Sequence, residues 1–184
     1  MKKITEKDIL DLIDKYYDKY PQAKDILIKH SKLVAKEALR IAKKLKLSSS
    51  QKEFIYNASL LHDIGIVMVD AIDIGCFGQY PYVMHGYLGG QILKKEGFPD
   101  KYIKVCERHI GMGLSKEDIN KDNLDLPLRD MIPQSIEEKI ICFADKFFTK
   151  SKNKKASIED IENNLKKYGE DKLERFRELK NLFL

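Results

Sequence analysis

A chain of 184 residues, 43% hydrophobic and 34% charged, suffices for one soluble globular domain with a substantial core. Its 34 Lys and Arg against 29 Asp and Glu leave a formal charge of +5, which favours anionic substrates but is no strong nucleic-acid signal. No apolar run reaches the ~18 residues of a membrane span, and Met1–Asp8 lacks a signal-peptide core, so no membrane association and a cytoplasmic location are expected.

In chain order the pattern is helical. Ile9, Ile13, Tyr16, Tyr17 and Tyr20 recur at three- and four-residue intervals over 5–20, until Pro21 interrupts. Over 24–47 the stripe is Ile26, His30, Leu33, Val34, Ala38, Ile41 and Leu45; His30 lies inside it, where a lone histidine is more often a packed core residue than a ligand. Ser50 with Glu53 predicts a capping box opening a third helix, whose apolar face runs through Phe54, Ala58 and Leu61 to His62-Asp63 and stops at Gly65. Residues 64–84 are irregular. Ile66–Val69 reads as a short strand or more helix, and 72–82, with Phe77, Tyr80 and Tyr82 among Gly75, Gly78 and Pro81, reads as a loop, either lid-like or packing its own aromatics.

His85 opens a fourth helix ending near Gly97, and Asp100–Ile110 forms a fifth with Tyr102, Cys106 and His109 on one face. A short helix over 116–120 precedes a second expected capping box, Ser135 with Glu138. The helix after it is strongly apolar and carries Asp145, a costly carboxylate unless a cation or donors compensate. Thr149–Lys155 reads as a basic, solvated linker, and residues 157–184 as two packing helices, the first capped by Ser157 with Asp160. The three cysteines are separated and odd in number, which suits reduced core thiols. The expectation is an all-α single domain, 1–184, with almost no strand.

The four histidines, His30, His62, His85 and His109, all fall on an apolar face or at a helix end. With Asp63 and Asp145 they make six candidate ligands from five helices, a normal way to build a metal site in a helical bundle. Imidazole nitrogen with carboxylate oxygen suits Zn, Fe, Mn or similar ions.

The order His30, His62-Asp63, Asp145 resembles the signature of the HD-domain superfamily, and His62-Asp63-Ile64-Gly65 matches its HDIG form. His85-Gly86 and Glu107–Gly111 look like the additional histidines of dinuclear members, and Glu137–Lys146 is similar to the segment carrying the final Asp in small stand-alone prokaryotic HDIG proteins. The resemblance covers residues 26–150, leaving 1–20 and 157–184 as additions. It implies an HD helical bundle and a metal-dependent phosphohydrolase with an activated bridging water. One ion would be held by His30, His62, Asp63 and Asp145, a second by His85 and His109, with Asp63 bridging. Iron is the first expectation for the divalent metal, with Mn, Zn, Ni or Mg as alternatives, and the substrate would be a small phosphorylated compound, a nucleotide first. Many HD enzymes place a Lys three residues after this Asp; here the position is Ile66, which leaves anion contacts to Arg108, Lys146 or Arg129. Asp63, Arg108 and Lys146 are therefore the catalytic candidates. The same ligand order also resembles HD-fold di-iron oxygenases, and a nucleotide-sensing module is the third possibility.

Overall fold

The computed structural model describes residues 3–150 and 155–184, and among them nine α-helices and one two-stranded ribbon. The all-α expectation holds. The basic stretch expected to be a solvated linker lies partly outside the described residues, at 151–154.

Helix α1 (Glu6–Tyr17) starts from a full capping box between Thr5 and Asp8. Helix α2 (Pro21–Lys44) begins three residues earlier than its stripe suggests. Pro21 opens it rather than merely interrupting, because the first turn of a helix needs no amide hydrogen and favours proline's fixed φ. Helix α3 (Ser49–Leu61) corrects the expected cap. Ser48, not Ser50, accepts from the amide of Gln51, and the Gln51 side chain accepts from the Ser48 amide. Glu53 instead pairs with Lys3 at 2.8 Å.

The chain then makes a 3-10 turn (Ile64–Met68), overlapping Ile66–Val69 where a short strand or more helix was expected, and a short antiparallel ribbon within the irregular stretch 64–84. Its strands are β1 (Asp70–Ala71) and β2 (Cys76–Phe77), with Asp70 opposite Phe77. Helices α4 (His85–Lys95), α5 (Asp100–Arg108), α6 (Lys116–Lys121) and α7 (Ile136–Asp145) follow, then α8 (Ile158–Lys166) and α9 (Glu170–Phe183). At α7 the Ser135 hydroxyl accepts from the Glu138 amide, but the return half of the predicted box is missing. The Glu138 carboxylate accepts from Arg108 and the Gln134 amide instead; a bond to a guanidinium is worth roughly twice a neutral one. Ser157 and Asp160 do form their box.

Helix α2 packs on α3 and α7, while α4 lies against α5 and the 3-10 turn. That second contact explains Gly65. A Cβ there would sit 2.1 Å from the His85 carbonyl oxygen and 2.3 Å from the Gly89 amide nitrogen. Gly65 therefore does more than stop a helix: it lets the backbone after Asp63 touch the backbone that carries His85. Tyr17, fully buried in α1, braces the same turn; its hydroxyl donates to the Ile64 carbonyl at 3.1 Å and accepts from the Val67 amide at 3.0 Å.

Helix α9 covers α7, and α8 packs on α9. Phe143 stacks on Phe176 at 5.0 Å and meets Phe183 edge-on at 5.3 Å. Phe176 is completely buried, so truncation to Ala costs on the order of 3–5 kcal/mol. All three cysteines are free and buried. Two do more than pack: Cys106 Sγ donates to the Leu61 carbonyl at 3.3 Å and Cys142 Sγ to the His109 carbonyl at 3.5 Å. Among the described residues, no helix is long and apolar enough to cross a membrane.

Candidate metal centre

The six residues singled out from the sequence meet in the interior. His30 comes from the middle of α2, His62 caps the C-terminus of α3, His85 opens α4, His109 caps α5 and Asp145 ends α7. Helix ends free the side chain and the following backbone to turn inward, which explains how four of these elements converge on His30 in the middle of α2. The four histidines and Asp63 are buried.

Asp63 divides the cluster. Its Oδ2 lies 3.2 Å from His30 Nε2 and 3.1 Å from His62 Nε2. Asp145 Oδ1 completes that group, 3.0 Å from His30 Nε2 and 3.4 Å from His62 Nε2. The other oxygen, Asp63 Oδ1, lies 3.2 Å from His85 Nε2 and 3.3 Å from His109 Nε2. The residues thus form a quartet and a trio that share one carboxylate.

With the rings neutral, as metal ligands must be, these contacts are not ordinary hydrogen bonds. Nδ1 of His62, His85 and His109 lies 2.7, 2.6 and 2.7 Å from the carbonyls of Ser59, Tyr82 and Cys106. A carbonyl only accepts, so each Nδ1 carries the hydrogen, and in the neutral ring Nε2 is a bare lone pair. His85 Nε2 and His109 Nε2 are nevertheless only 3.1 Å apart, and both face an acceptor-only carboxylate oxygen. Asp63 Oδ1 is buried and has no hydrogen-bond partner among the described residues. Lone pairs collected in this way need a cation.

The spacing fits one. Metal–donor bonds of about 2.1 Å place neighbouring donors about 3.0 Å apart in an octahedron and about 3.4 Å apart in a tetrahedron. The nitrogen–oxygen separations in both groups run from 3.0 to 3.4 Å. A divalent ion on nitrogen and oxygen donors is the group these residues fit.

Charge is arranged to match. Burial would raise the Asp63 carboxyl, but His62 and Lys150 outweigh it and hold it well below the usual range. Asp145 is likewise held low against burial by Lys146 and His30. Burial pulls His62 down, yet Asp63 and Asp145 dominate and lift it to about 10. Burial drives His109 down to about 4, assisted by the neighbouring His62 and His85, so its ring is neutral.

The catalytic candidates fare differently. Lys146 Nζ lies 2.8 Å from Asp145 Oδ2 and donates to the His109 carbonyl at 3.3 Å, so it braces two site residues. Arg108 is turned to Glu138 at 2.9 Å, its side chain largely buried. Arg129 pairs with Glu107 at 2.8 Å. The sequence reading missed Lys150, assigned to a solvated linker; its Nζ is 2.7 Å from Asp63 Oδ2. Tyr82, seen only as one loop aromatic, sets its ring 4.6 Å from that of His85.

Known proteins share the family and the fold. The family model described as HD domain matches residues 27–150, more than half of the chain. A tRNA (cytidine(56)-2'-O)-methyltransferase of Thermoplasma volcanium is 35% identical over 175 residues, 95% of this chain but 45% of that protein. The chain therefore spans less than half of that relative. An uncharacterized protein of Methanocaldococcus jannaschii is 31% identical over 137 residues, 73% of this chain and 72% of the other. Among solved structures, the HD domain of the L. monocytogenes phosphodiesterase PgpH, in complex with cyclic-di-AMP, superposes with a TM-score of 0.53 over 92% of both chains at 16% identity. At that identity the likeness speaks for the fold.

Proposed function

Because the chain belongs to the HD-domain family, we propose that it is a metal-dependent phosphohydrolase with two divalent ions, iron first among the candidates. The observation that carries this reading is the division of Asp63, with one oxygen in each donor group. His30, His62, Asp63 and Asp145 would hold one ion, and His85, His109 and the other oxygen of Asp63 the second. Such a pair would supply Lewis acidity and bring the pKa of bound water toward neutrality.

The chain's own residues do the rest. The three Nδ1–carbonyl bonds fix the rings so that Nε2 points inward without searching rotamers. Lys146 engages Asp145 Oδ2 and leaves Oδ1 facing His30. Arg108 ties the end of α5 to α7 through Glu138, and so positions His109, the next residue. That is a positioning role in place of direct contact with transition-state charge.

The substrate class proposed is a nucleotide phosphoester. Phe77, Tyr80 and Tyr82 are exposed on the ribbon and the turn leading to His85, where aromatic faces suit stacking of a base. The cyclic dinucleotide in the similar structure and the nucleic-acid substrate named for the methyltransferase support the same class. Residues 26–150 would form the catalytic core, with 1–20 and 157–184 as its supports.

The test is hydrolysis by protein stripped of metal and reloaded with Fe(II) or Mn(II). The panel comprises phosphomonoesters, phosphodiesters including cyclic-di-AMP, and nucleoside triphosphates. Metal-dependent turnover of at least one class is expected; inertness to all of them with both ions bound would overturn the reading.

A further inference from the structure

We infer that Lys150 is the cation that receives the substrate's phosphoryl oxygens, and that Asp63 holds it in reserve until a metal ion takes that carboxylate. The inference rests on the phosphohydrolase reading for the identity of the anion.

Lys150 follows α7 by five residues, and its side chain is only 15% exposed, with the stem buried and the ammonium 2.7 Å from Asp63 Oδ2. That oxygen belongs to the His30–His62–Asp145 quartet. A divalent ion bound there would face the ammonium across a single oxygen, and two cations in so dry a place repel strongly. The ammonium must then give way. It has somewhere to go: the Tyr82 ring lies beside it, 5.8 Å from Nζ to the centroid, and Tyr82 is itself partly open to solvent and packed on His85. A flexible four-carbon stem lets the head move along that ring and stay beside the centre.

The other cations named for the substrate are already engaged. Lys146 bridges Asp145 and the His109 carbonyl, Arg108 is paired with Glu138, and Arg129 with Glu107. Lys150 differs because its partner is the very atom that a metal would claim. Once released, it offers three donors to phosphoryl oxygens, in charge-assisted bonds about twice as strong as neutral ones.

Two effects of opposite sign follow, and no purely structural role produces both. Lys150→Met, whose neutral side chain keeps the apolar stem, removes the competitor of the metal and the receiver of the anion. Titration calorimetry of the metal-free protein should show Mn(II) bound roughly three- to tenfold more tightly by Lys150→Met than by the wild type. Inorganic phosphate, titrated into the Mn(II)-loaded proteins, should bind roughly ten- to a hundredfold more weakly. Lys150→Arg keeps a cation and should retain most of the phosphate affinity. Lys155→Met removes a charge that pairs with Glu37, away from the centre, and should change neither quantity.

Unchanged or weakened Mn(II) binding in Lys150→Met, or unchanged phosphate binding, overturns the inference. Both readouts are independent of turnover. A wild type that hydrolyses nothing but shows both shifts would defeat the phosphohydrolase reading and leave Lys150 as an anion receiver. A wild type that hydrolyses phosphoesters without either shift would do the reverse.

Discussion

His85 Nε2 and His109 Nε2 lie 3.1 Å apart, each ring fixed by a carbonyl on its far side. Asp63 Oδ1 lies within 3.3 Å of both, and its other oxygen belongs to the second group. The two halves of the centre are therefore unequal in what a substitution can remove. His109→Ala takes a donor from the trio alone, and should reduce bound metal from two ions to one. Asp63→Asn removes charge from both halves and should leave less than one. Elemental analysis of proteins purified without chelator reads the difference; equal losses in the two variants would deny that Asp63 is shared.

Metal uptake should release a proton. In the metal-free protein His62 is raised to about 10, burial opposing and Asp63 and Asp145 prevailing. Relative to the usual value near 6.5, the protonated ring stabilises the metal-free fold fully below about 6.5, and that contribution is lost as pH rises through about 10. A metal requires the neutral ring, so the proton competes with it. Affinity should climb by about one decade per pH unit between roughly 7 and 9. Calorimetry in buffers of different ionisation enthalpy would count the proton, and a flat affinity over that window would show His62 already neutral.

Gly65→Ala should damage the centre without touching a donor. The added Cβ would meet two backbone atoms, the His85 carbonyl oxygen at 2.1 Å and the Gly89 nitrogen at 2.3 Å, and neither can rotate away. Helix α4 must shift and carry His85 with it. An overpacking cost of about 2–3 kcal/mol is expected, with the His85–His109 ion lost before the other. A thermal melt and a metal count suffice, and a variant with unchanged melting and two ions would show that the turn can relax.

The six residues of the cluster were legible because they break rules visible in one dimension. Histidines never placed on the lysine-rich faces, and a carboxylate inside the apolar run of α7, are anomalies that burial physics makes conspicuous. Lys150 broke no such rule. A lysine among lysines reads as solvated, and only the turn after α7 brings its ammonium to Asp63. The partner of Arg108 was hidden for a related reason: its neighbour His109 turns inward, but the guanidinium is captured by Glu138, thirty positions away. The same partner emptied the expected capping box at Ser135, whereas at Ser48 the error was one of phase along a run of three serines.

Tyr17 links an apparently passive helix to the chemistry. The tyrosine was legible as part of the α1 stripe, but its hydroxyl is the functional part. It accepts from the Val67 amide and donates to the Ile64 carbonyl, one residue after Asp63. Tyr17→Phe keeps the ring and leaves that carbonyl buried without its donor, at a cost of about 1–3 kcal/mol. For a protein of this size each kcal/mol corresponds to a fall of about 2–4 °C in melting temperature. Because the loosened turn carries the backbone of Asp63, metal affinity should fall together with stability. Tyr17→Leu would lose ring packing as well and serves as the harsher companion. If Tyr17→Phe lowers the melting temperature but leaves metal affinity untouched, α1 supports the fold alone and the 3-10 turn is positioned by Gly65 and α4.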